Sequence, residues 1–129
     1  MGLDSFAYRI PAPECAHMPA VDARIPDTAG ERFAYWRKHT DLHVWMWSRY
    51  AIKGGKVSEF MEFNMVTVEV TADDLDRLDE CLAMWEILGD AEEFFHNTTT
   101  EQAEADQRFI KDARQHIANG ERIFYDSWW

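Results

Sequence analysis

Cysteine is nearly absent from this sequence, and its scarcity excludes two common ways of stabilising a small protein. The chain has only two cysteines, Cys15 and Cys81, without a Cys-x-x-Cys spacing. Neither a disulfide framework nor a four-ligand structural zinc site can be built from that set. We therefore expect a protein that folds on its hydrophobic core alone, in a reducing compartment such as the cytoplasm.

Long apolar runs are missing as well. No stretch approaches the roughly 18 apolar residues of a transmembrane helix, and the N-terminus lacks the basic-then-apolar pattern of a secretion signal. We expect a cytoplasmic protein with no membrane association. Aromatic residues are plentiful instead, at 14% of the chain, which is typical of a folded domain rather than of a disordered acidic tail.

Basic residues are almost absent from the middle of the chain. Residues 57–107, here called the acidic segment, contain 15 acids and one base, Arg77; their formal charge is −14, and that of the remaining residues is +3. A field this uneven acts on partner choice and association rate more than on the fold. It disfavours direct nucleic-acid binding, which depends on neutralising phosphates with Lys and Arg.

Periodicity and capping signals predict the first elements. Alternation over residues 5–10 indicates a half-buried strand, and the prolines that follow indicate a long loop over residues 11–27, laid against the body of the protein. Thr28 and Glu31 form a capping-box pattern, and aromatic and histidine side chains then recur at helical spacing. Residues 31–52 are therefore predicted to form one bent helix or two.

The second half of the chain adds further strands and helices. Residues 59–70 predict a strand with a bulge, or two strands, and Thr71 with Asp74 predicts a helix start. A second helix is predicted from residues 98–100 to Ala118, a small strand is an option at residues 94–95, and a last strand is predicted over residues 122–129. The predicted fold is one α+β domain over residues 1–129, with a small, mostly antiparallel sheet and three helices, or four if residues 31–52 form two.

Five features of the sequence, taken together, resemble a loose family of small proteins encoded by phages and prophages. They are the opening MGLDSFAYRI, the motif AYWRKHTDLHVW, the segment VEVTADDLDRLDEC, the Phe94-Phe95 pair and the ending RIFYDSWW. The resemblance covers most of the chain in order. It implies a viral origin and an accessory role, and it assigns no enzymatic residues. The acidic middle and the short final section depart from the family pattern, which suits an adapted role.

One group of side chains has the composition of a ligand-binding site. This group, here called the cationic–aromatic cluster, comprises Tyr35, Trp36, Arg37, Lys38, His39 and His43. Arg and Lys beside aromatic rings can hold a nucleotide or a phosphate metabolite by charge-assisted hydrogen bonds and stacking. In the alternative interpretation, Tyr35 and Trp36 belong to the core, and the two bases pair with nearby acids.

The two histidines of that cluster have the spacing of a metal-binding helix. His39 and His43 are four residues apart, which places both imidazoles on one face of the predicted helix. A pair is only half of a site. Asp41 and Cys15 are candidates to complete it, but the spacing selects neither, so we predict no metal and no other cofactor.

The acidic segment predicts a surface for a basic partner. An ordinary solvated face mixes both signs of charge, whereas these carboxylates are almost unrelieved; solubility or salt adaptation is the alternative explanation. The residues predicted to contact the partner are Asp73, Asp74, Asp76, Asp79, Glu80, Glu86, Asp90, Glu92 and Glu93.

These patterns lead to two functional hypotheses. No nucleophile elbow or Ser-His-Asp order is present, so catalysis is not favoured. We expect a phage-type accessory protein that binds stoichiometrically, its acidic segment blocking the basic, nucleic-acid-binding surface of a host protein such as a CRISPR-type defence complex. The alternative is a protein that binds or processes a nucleotide or phosphate metabolite on the cationic–aromatic cluster. Exposed Trp and Met side chains can anchor either the partner or a homodimer.

Overall fold

The computed structural model describes residues 2–56, 59 and 62–129. They form the predicted α+β fold, a four-stranded antiparallel sheet with the strand order β2-β1-β4-β3 and three α-helices. In chain order the elements are β1 (Asp4–Pro11), β2 (Glu31–Arg37), α1 (Thr40–Ile52), β3 (Val68–Val70), α2 (Ala72–Leu88), a 3-10 turn (Gly89–Ala91), α3 (Thr100–Ala118) and β4 (Glu121–Trp128). No helix in these ranges has both the length and the apolar character needed to cross a membrane.

The two long central strands confirm the strands predicted at the two ends of the chain. β1 and β4 pair along their whole length, from Asp4 opposite Trp128 to Pro11 opposite Glu121. Successive side chains of β1 point to opposite faces of the sheet, as the alternating sequence predicts.

The face of β1 that turns to the helices carries its small side chains. Ser5 and Ala7 are buried there, whereas Phe6 is half-buried on the opposite face. The rings of Trp36 and Tyr125, from the two neighbouring strands, lie 6.3 Å apart on the helix side and are both buried. Because these large rings fill that layer, only small residues fit between them.

The helix predicted from residue 31 is wrong in its first part, because residues 31–37 form strand β2. β2 pairs antiparallel with β1, and the pairing partners of the consecutive residues Ala7 and Tyr8 are Ala34 and Arg32. Phe33 is therefore the extra residue of a β-bulge.

This bulge explains why the sequence of β2 has helical spacing. In a regular strand, residues three apart point to opposite faces, but the extra residue brings Phe33 and Trp36 to the same face. Both rings contact Phe109 of α3, at centroid distances of 5.8 and 4.9 Å. A local signal cannot distinguish this arrangement from one face of a helix.

Helices α2 and α3 begin where a side chain binds the first backbone N–H groups, whereas α1 has no side-chain cap. At α2, Thr71 and Asp74 form the predicted reciprocal capping box, and at α3 Thr99 forms another with Gln102. α1 begins only at Thr40, so residues 31–52 are a strand followed by one helix, and the option of two helices there is not realised.

The region between α1 and α2 contains less strand than predicted. Within residues 59–70 the structure describes one strand, Val68–Val70; residues 57, 58, 60 and 61 lie outside the described residues. The optional strand at residues 94–95 is replaced by a turn. The N–H groups of Phe94 and Phe95 both donate to the Glu92 carboxylate, so they are not available to a neighbouring strand.

The sheet face that turns away from the helices, here called the outer face, is divided into two halves. Over one half, residues 12–30 pack as the predicted long loop, with Cys15 and Ala23 buried against Ile10 of β1 and Phe124 of β4. The other half, here called the open half, carries Tyr35 and Trp128, which are 51% and 61% exposed, with Phe6 half-buried between their strands.

Candidate functional site

Asp74, which the sequence places in the acidic binding surface, is a buried structural residue. Its side chain is 1% exposed and accepts hydrogen bonds from Arg49 Nε at 2.8 Å, from Lys53 Nζ and from the Thr71 backbone N–H. Burial opposes ionisation of Asp74, but the hydrogen bonds from Lys53 and Thr71 outweigh it and hold its pKa below the usual value. This carboxylate therefore fastens α1 to the start of α2 and is not offered to a partner.

Glu92 is also withdrawn from the predicted surface. It is 7% exposed, and its carboxylate accepts the N–H of Phe94 at 2.6 Å and that of Phe95. These bonds shape the turn that brings Phe95 into the core. The sequence could not reveal this burial, because two adjacent acids, Glu92 and Glu93, look alike until the turn places one inside and the other outside.

The first half of α2 has its acids paired with bases. Asp73 receives an ion pair from Arg77 at 3.1 Å, one turn later on the same helix. Asp76 and Asp79 both form ion pairs with Arg114 of α3, at N–O distances of 2.9 and 3.5 Å. This half of the helix is exposed, but its charge is largely neutralised within the protein.

The second half of α2 and the turn after it keep their acids without cationic partners. Glu80, Glu86, Asp90 and Glu93 are all exposed, and none takes part in an ion pair among the described residues. Glu86 accepts only a hydrogen bond, from Gln107 at 3.3 Å. Glu62, Glu101 and Glu104 of the acidic segment are likewise exposed and make no ion pair among the described residues, so the end of α2 carries part of the segment's unbalanced charge.

Three large apolar side chains are exposed in the same stretch of α2. Met84, Ile87 and Leu88 are 45%, 76% and 46% exposed. Their spacing of three and four residues places them on one face of α2, opposite the buried stripe of Leu75, Leu78 and Leu82. The three apolar residues with Glu80, Glu86, Asp90 and Glu93 are here called the α2 patch.

The sequence also indicated the exposed apolar residues of the α2 patch, through a second apolar spacing on α2 that the sequence analysis did not use. Helix α2 carries two apolar stripes, and a helix packed on only one side needs one. Leu75, Leu78 and Leu82 satisfy the core, so the second spacing, at residues 84, 87 and 88, marks an exposed apolar face.

The cationic–aromatic cluster is dispersed by the strand that replaces its predicted helix. Tyr35 and Arg37 lie exposed on the outer face, while Trp36 between them is 5% exposed on the inner face. Lys38 is exposed where the chain turns out of β2 with a φ of 57°, and it precedes the buried His39. None of the clefts that the structure describes is lined by all six residues.

His39 and His43 are buried apart from each other and have separate partners. His39 Nε2 lies 2.7 Å from the buried carboxylate of Asp106, whose pKa burial raises. His43 donates from Nε2 to the Phe63 carbonyl at 2.9 Å, and its Nδ1 lies 2.7 Å from the Tyr125 hydroxyl. Because His39 is the cap and His43 is inside the helix, the two imidazoles do not converge.

The residues considered as completing metal ligands are also engaged elsewhere. Asp41 accepts hydrogen bonds from the Asn97 N–H and the Thr98 hydroxyl, both at 2.8 Å, and Cys15, which is part of the loop over the outer face, is buried against Ile10 and Phe124. The described part of the chain contains no group of three side chains suited to a metal ion.

Comparison with protein-family models, with curated proteins and with solved structures found no match to this chain. Among the described residues, the α2 patch is where exposed apolar side chains that the core does not use lie near exposed acids in the sequence of the same helix and the turn after it.

Proposed function

We propose that this protein acts by stoichiometric binding of a partner protein, with the α2 patch as its contact surface. The observation that carries the proposal is the exposure of Ile87, with Met84 and Leu88 beside it, at the end of α2 where Glu86, Asp90 and Glu93 make no ion pair among the described residues. Apolar side chains surrounded by one sign of charge combine the two ingredients of a specific interface, a desolvated centre and a charged rim.

The magnitudes indicate that the apolar centre and the acidic rim must act together. Complete burial of an Ile, Leu or Met side chain contributes about 1.5–3 kcal/mol. Since the three side chains are already partly buried, covering them contributes roughly 3–5 kcal/mol in total. Association itself costs about 4–15 kcal/mol, so the apolar centre cannot hold a partner alone. Attraction between the rim and a basic surface supplies speed and selectivity.

The partner in this proposal is a protein with a basic surface around an apolar depression. A nucleic-acid-binding surface of a host protein, for example in a CRISPR-type defence complex, has the required charge. Occupying it would block the nucleic acid, since both ligands present negative charge to the same bases. The resemblance to phage-encoded accessory proteins supports this class of partner.

The test is capture of a partner from bacterial lysate, followed by titration of the purified partner against matched pairs of variants. Ile87→Ser removes the centre of the patch, and Ile52→Ser, at an isoleucine 69% exposed on α1, is its control. Glu80→Gln with Glu86→Gln removes two rim charges, and Glu14→Gln with Asp112→Asn removes two exposed charges elsewhere.

We expect one-to-one binding that weakens with salt. Both patch variants should weaken it at least tenfold, and both controls should leave it unchanged. The rim variant should also show a shallower salt dependence, because fewer charges meet in the complex. Equal binding by Ile87→Ser and Ile52→Ser would contradict the proposal.

A further inference from the structure

A cleft of about 450 Å³ lies on the outer face, where the open half meets the loop that covers the other half. The side chains that matter in it are Tyr8 of β1, Asp126 of β4, Arg24 and Asp27 of the loop, and Met65 and Thr67 from the segment before β3. The α2 patch is on a helix that packs against the inner face of the sheet. The cleft is therefore independent of the proposed partner surface.

Asp126 is a half-buried carboxylate in this cleft whose charge the protein leaves unbalanced. Its Oδ1 accepts the Ser127 N–H at 2.8 Å. Burial raises the pKa of Asp126, and no lysine or arginine of the described residues pairs with it. A carboxylate that is partly removed from water and lacks a counter-charge gains most from a bound cation.

The ring of Tyr8 forms the wall beside this carboxylate. Burial and the nearby charge of Asp126 raise the pKa of Tyr8, and the charge of Arg32 acts in the opposite direction, so the ring is neutral and its face is electron-rich. Arg32 is thus a second cation, besides Arg24, that a bound guanidinium would have to approach. The same sheet face already holds one guanidinium in this manner, since Arg32 lies 5.0 Å from the centroid of Phe6 and 5.9 Å from that of Tyr35.

We propose that this cleft binds the guanidinium group of an arginine side chain presented by a peptide or protein segment. Asp126 accepts the guanidinium N–H groups, and Tyr8 stacks on its planar face. Met65, 68% exposed, lines the cleft with a flexible apolar side chain suited to the aliphatic part of the arginine.

Two charged residues in the loop decide the sign of the ligand. Asp27 adds a second carboxylate to the cleft and favours a cation. Arg24 lines the same cleft, makes no ion pair among the described residues, and opposes a cation. If the charge of Arg24 outweighed those of Asp27 and Asp126, the cleft would bind an anion instead of a cation. Removing Arg24 therefore distinguishes cation binding, which should strengthen, from anion binding, which should be lost.

The test is a titration followed by ¹H–¹⁵N NMR, with a capped Gly-Arg-Gly peptide as the probe. The matched control is the same peptide with citrulline, which keeps the shape and removes the charge. Inorganic phosphate tests for an anion site. The protein variants are Asp126→Asn, whose Oδ1 still accepts the Ser127 N–H, and Arg24→Gln, which removes the competing charge.

We expect saturable shifts at Tyr8, Met65 and Asp126 with the arginine peptide and at least tenfold weaker binding of the citrulline peptide. Asp126→Asn should weaken arginine binding at least tenfold, and Arg24→Gln should strengthen it. A second probe, arginine amide without flanking residues, is compared with the arginine peptide. Equal affinity indicates that the side chain alone is bound, and weaker affinity of arginine amide indicates that the peptide backbone contributes; both results support the proposal.

Two results would overturn this proposal. One is arginine binding that Asp126→Asn leaves unchanged, and the other is phosphate binding that Arg24→Gln abolishes. Neither result bears on the α2 patch, whose variants lie on the other side of the sheet. The two proposals can therefore fail separately.

Discussion

Acidification should destabilise this protein through His43, whose imidazole is completely buried in the core. Its ring lies between Phe63 and Tyr125, with centroid distances of 4.8 and 5.9 Å, and 5.5 Å from the ring of Trp129. Burial lowers the pKa of His43 from 6.5 to about 4, although the hydrogen bond to the Phe63 carbonyl acts in the opposite direction. At neutral pH this histidine is therefore neutral in both the folded and the unfolded protein.

The sign of the effect follows from which state binds protons first. As the pH falls below 6.5, His43 is protonated in the unfolded chain but stays neutral in the folded one until about pH 4. Proton binding therefore stabilises the unfolded state relative to the folded one over this window. From neutrality to about pH 4.5 the loss of unfolding free energy from this one group is about 2.5 kcal/mol.

The assay is urea unfolding followed by tryptophan fluorescence at several values between about pH 7 and pH 4.5. The variant His43→Gln removes the titrating group and keeps a polar side chain. His17→Gln makes the same change at an exposed position. We expect the wild type and His17→Gln to lose about 2.5 kcal/mol more than His43→Gln over this range, whatever the stability of His43→Gln at neutral pH.

Other buried acids do not obscure this comparison. Burial raises the pKa values of Asp106 and Asp126, so these two groups contribute stability as the pH falls, opposite in sign to His43. They are present in all three proteins, and their effect cancels in the differences. Parallel pH profiles for the wild type and His43→Gln would refute the reasoning.

Three further predictions follow from burial and pairing. Leu78→Ala should reduce the unfolding free energy by about 2–5 kcal/mol in urea unfolding, because it leaves a cavity in the core. Trp85→Ala should reduce it less in the same assay, since Trp85 is only half-buried. Asp74→Ala should cost about 3–5 kcal/mol, because it leaves Arg49 unpaired beside the core, while Asp73→Ala should cost less than about 0.5 kcal/mol in the same assay. A nucleotide panel should leave the thermal midpoint unchanged, because the cationic–aromatic cluster lines no common cleft; stabilisation by about 2.7 kcal/mol at 100 times the dissociation constant would restore the ligand hypothesis.

The elements predicted correctly are those whose signals lie within a few residues. Thr71 with Asp74 satisfies N–H groups of its own first turn, and the helix start predicted at residues 98–100 is confirmed at Thr99. The capping-box pattern of Thr28 and Glu31 is wrong as a helix start, because Glu31 begins strand β2. The strands β1 and β4 can also be predicted locally, β1 from its alternating pattern and β4 from its content of β-forming residues.

Strand β2 was mistaken for a helix because its correct interpretation depends on a distant partner. The bulge at Phe33 exists only relative to β1, about 25 residues earlier in the chain. Without that partner, the spacing of Phe33 and Trp36 indicates a helix face. The cationic–aromatic cluster was predicted on that helix, and it dispersed when the strand placed alternate side chains on opposite faces of the sheet.

The sequence by itself determined the α+β class, the starts of α2 and α3 and the concentration of acids in the middle of the chain, because each depends on composition or on neighbours within one turn. Only the tertiary structure decided which of these acids are exposed and free of ion pairs, and so could contact a partner. Asp74 is buried against α1 and Asp76 is paired with α3, while Glu86 is exposed and makes no ion pair among the described residues. Burial and ion pairing depend on residues brought together from distant parts of the chain, and no local pattern specifies those contacts.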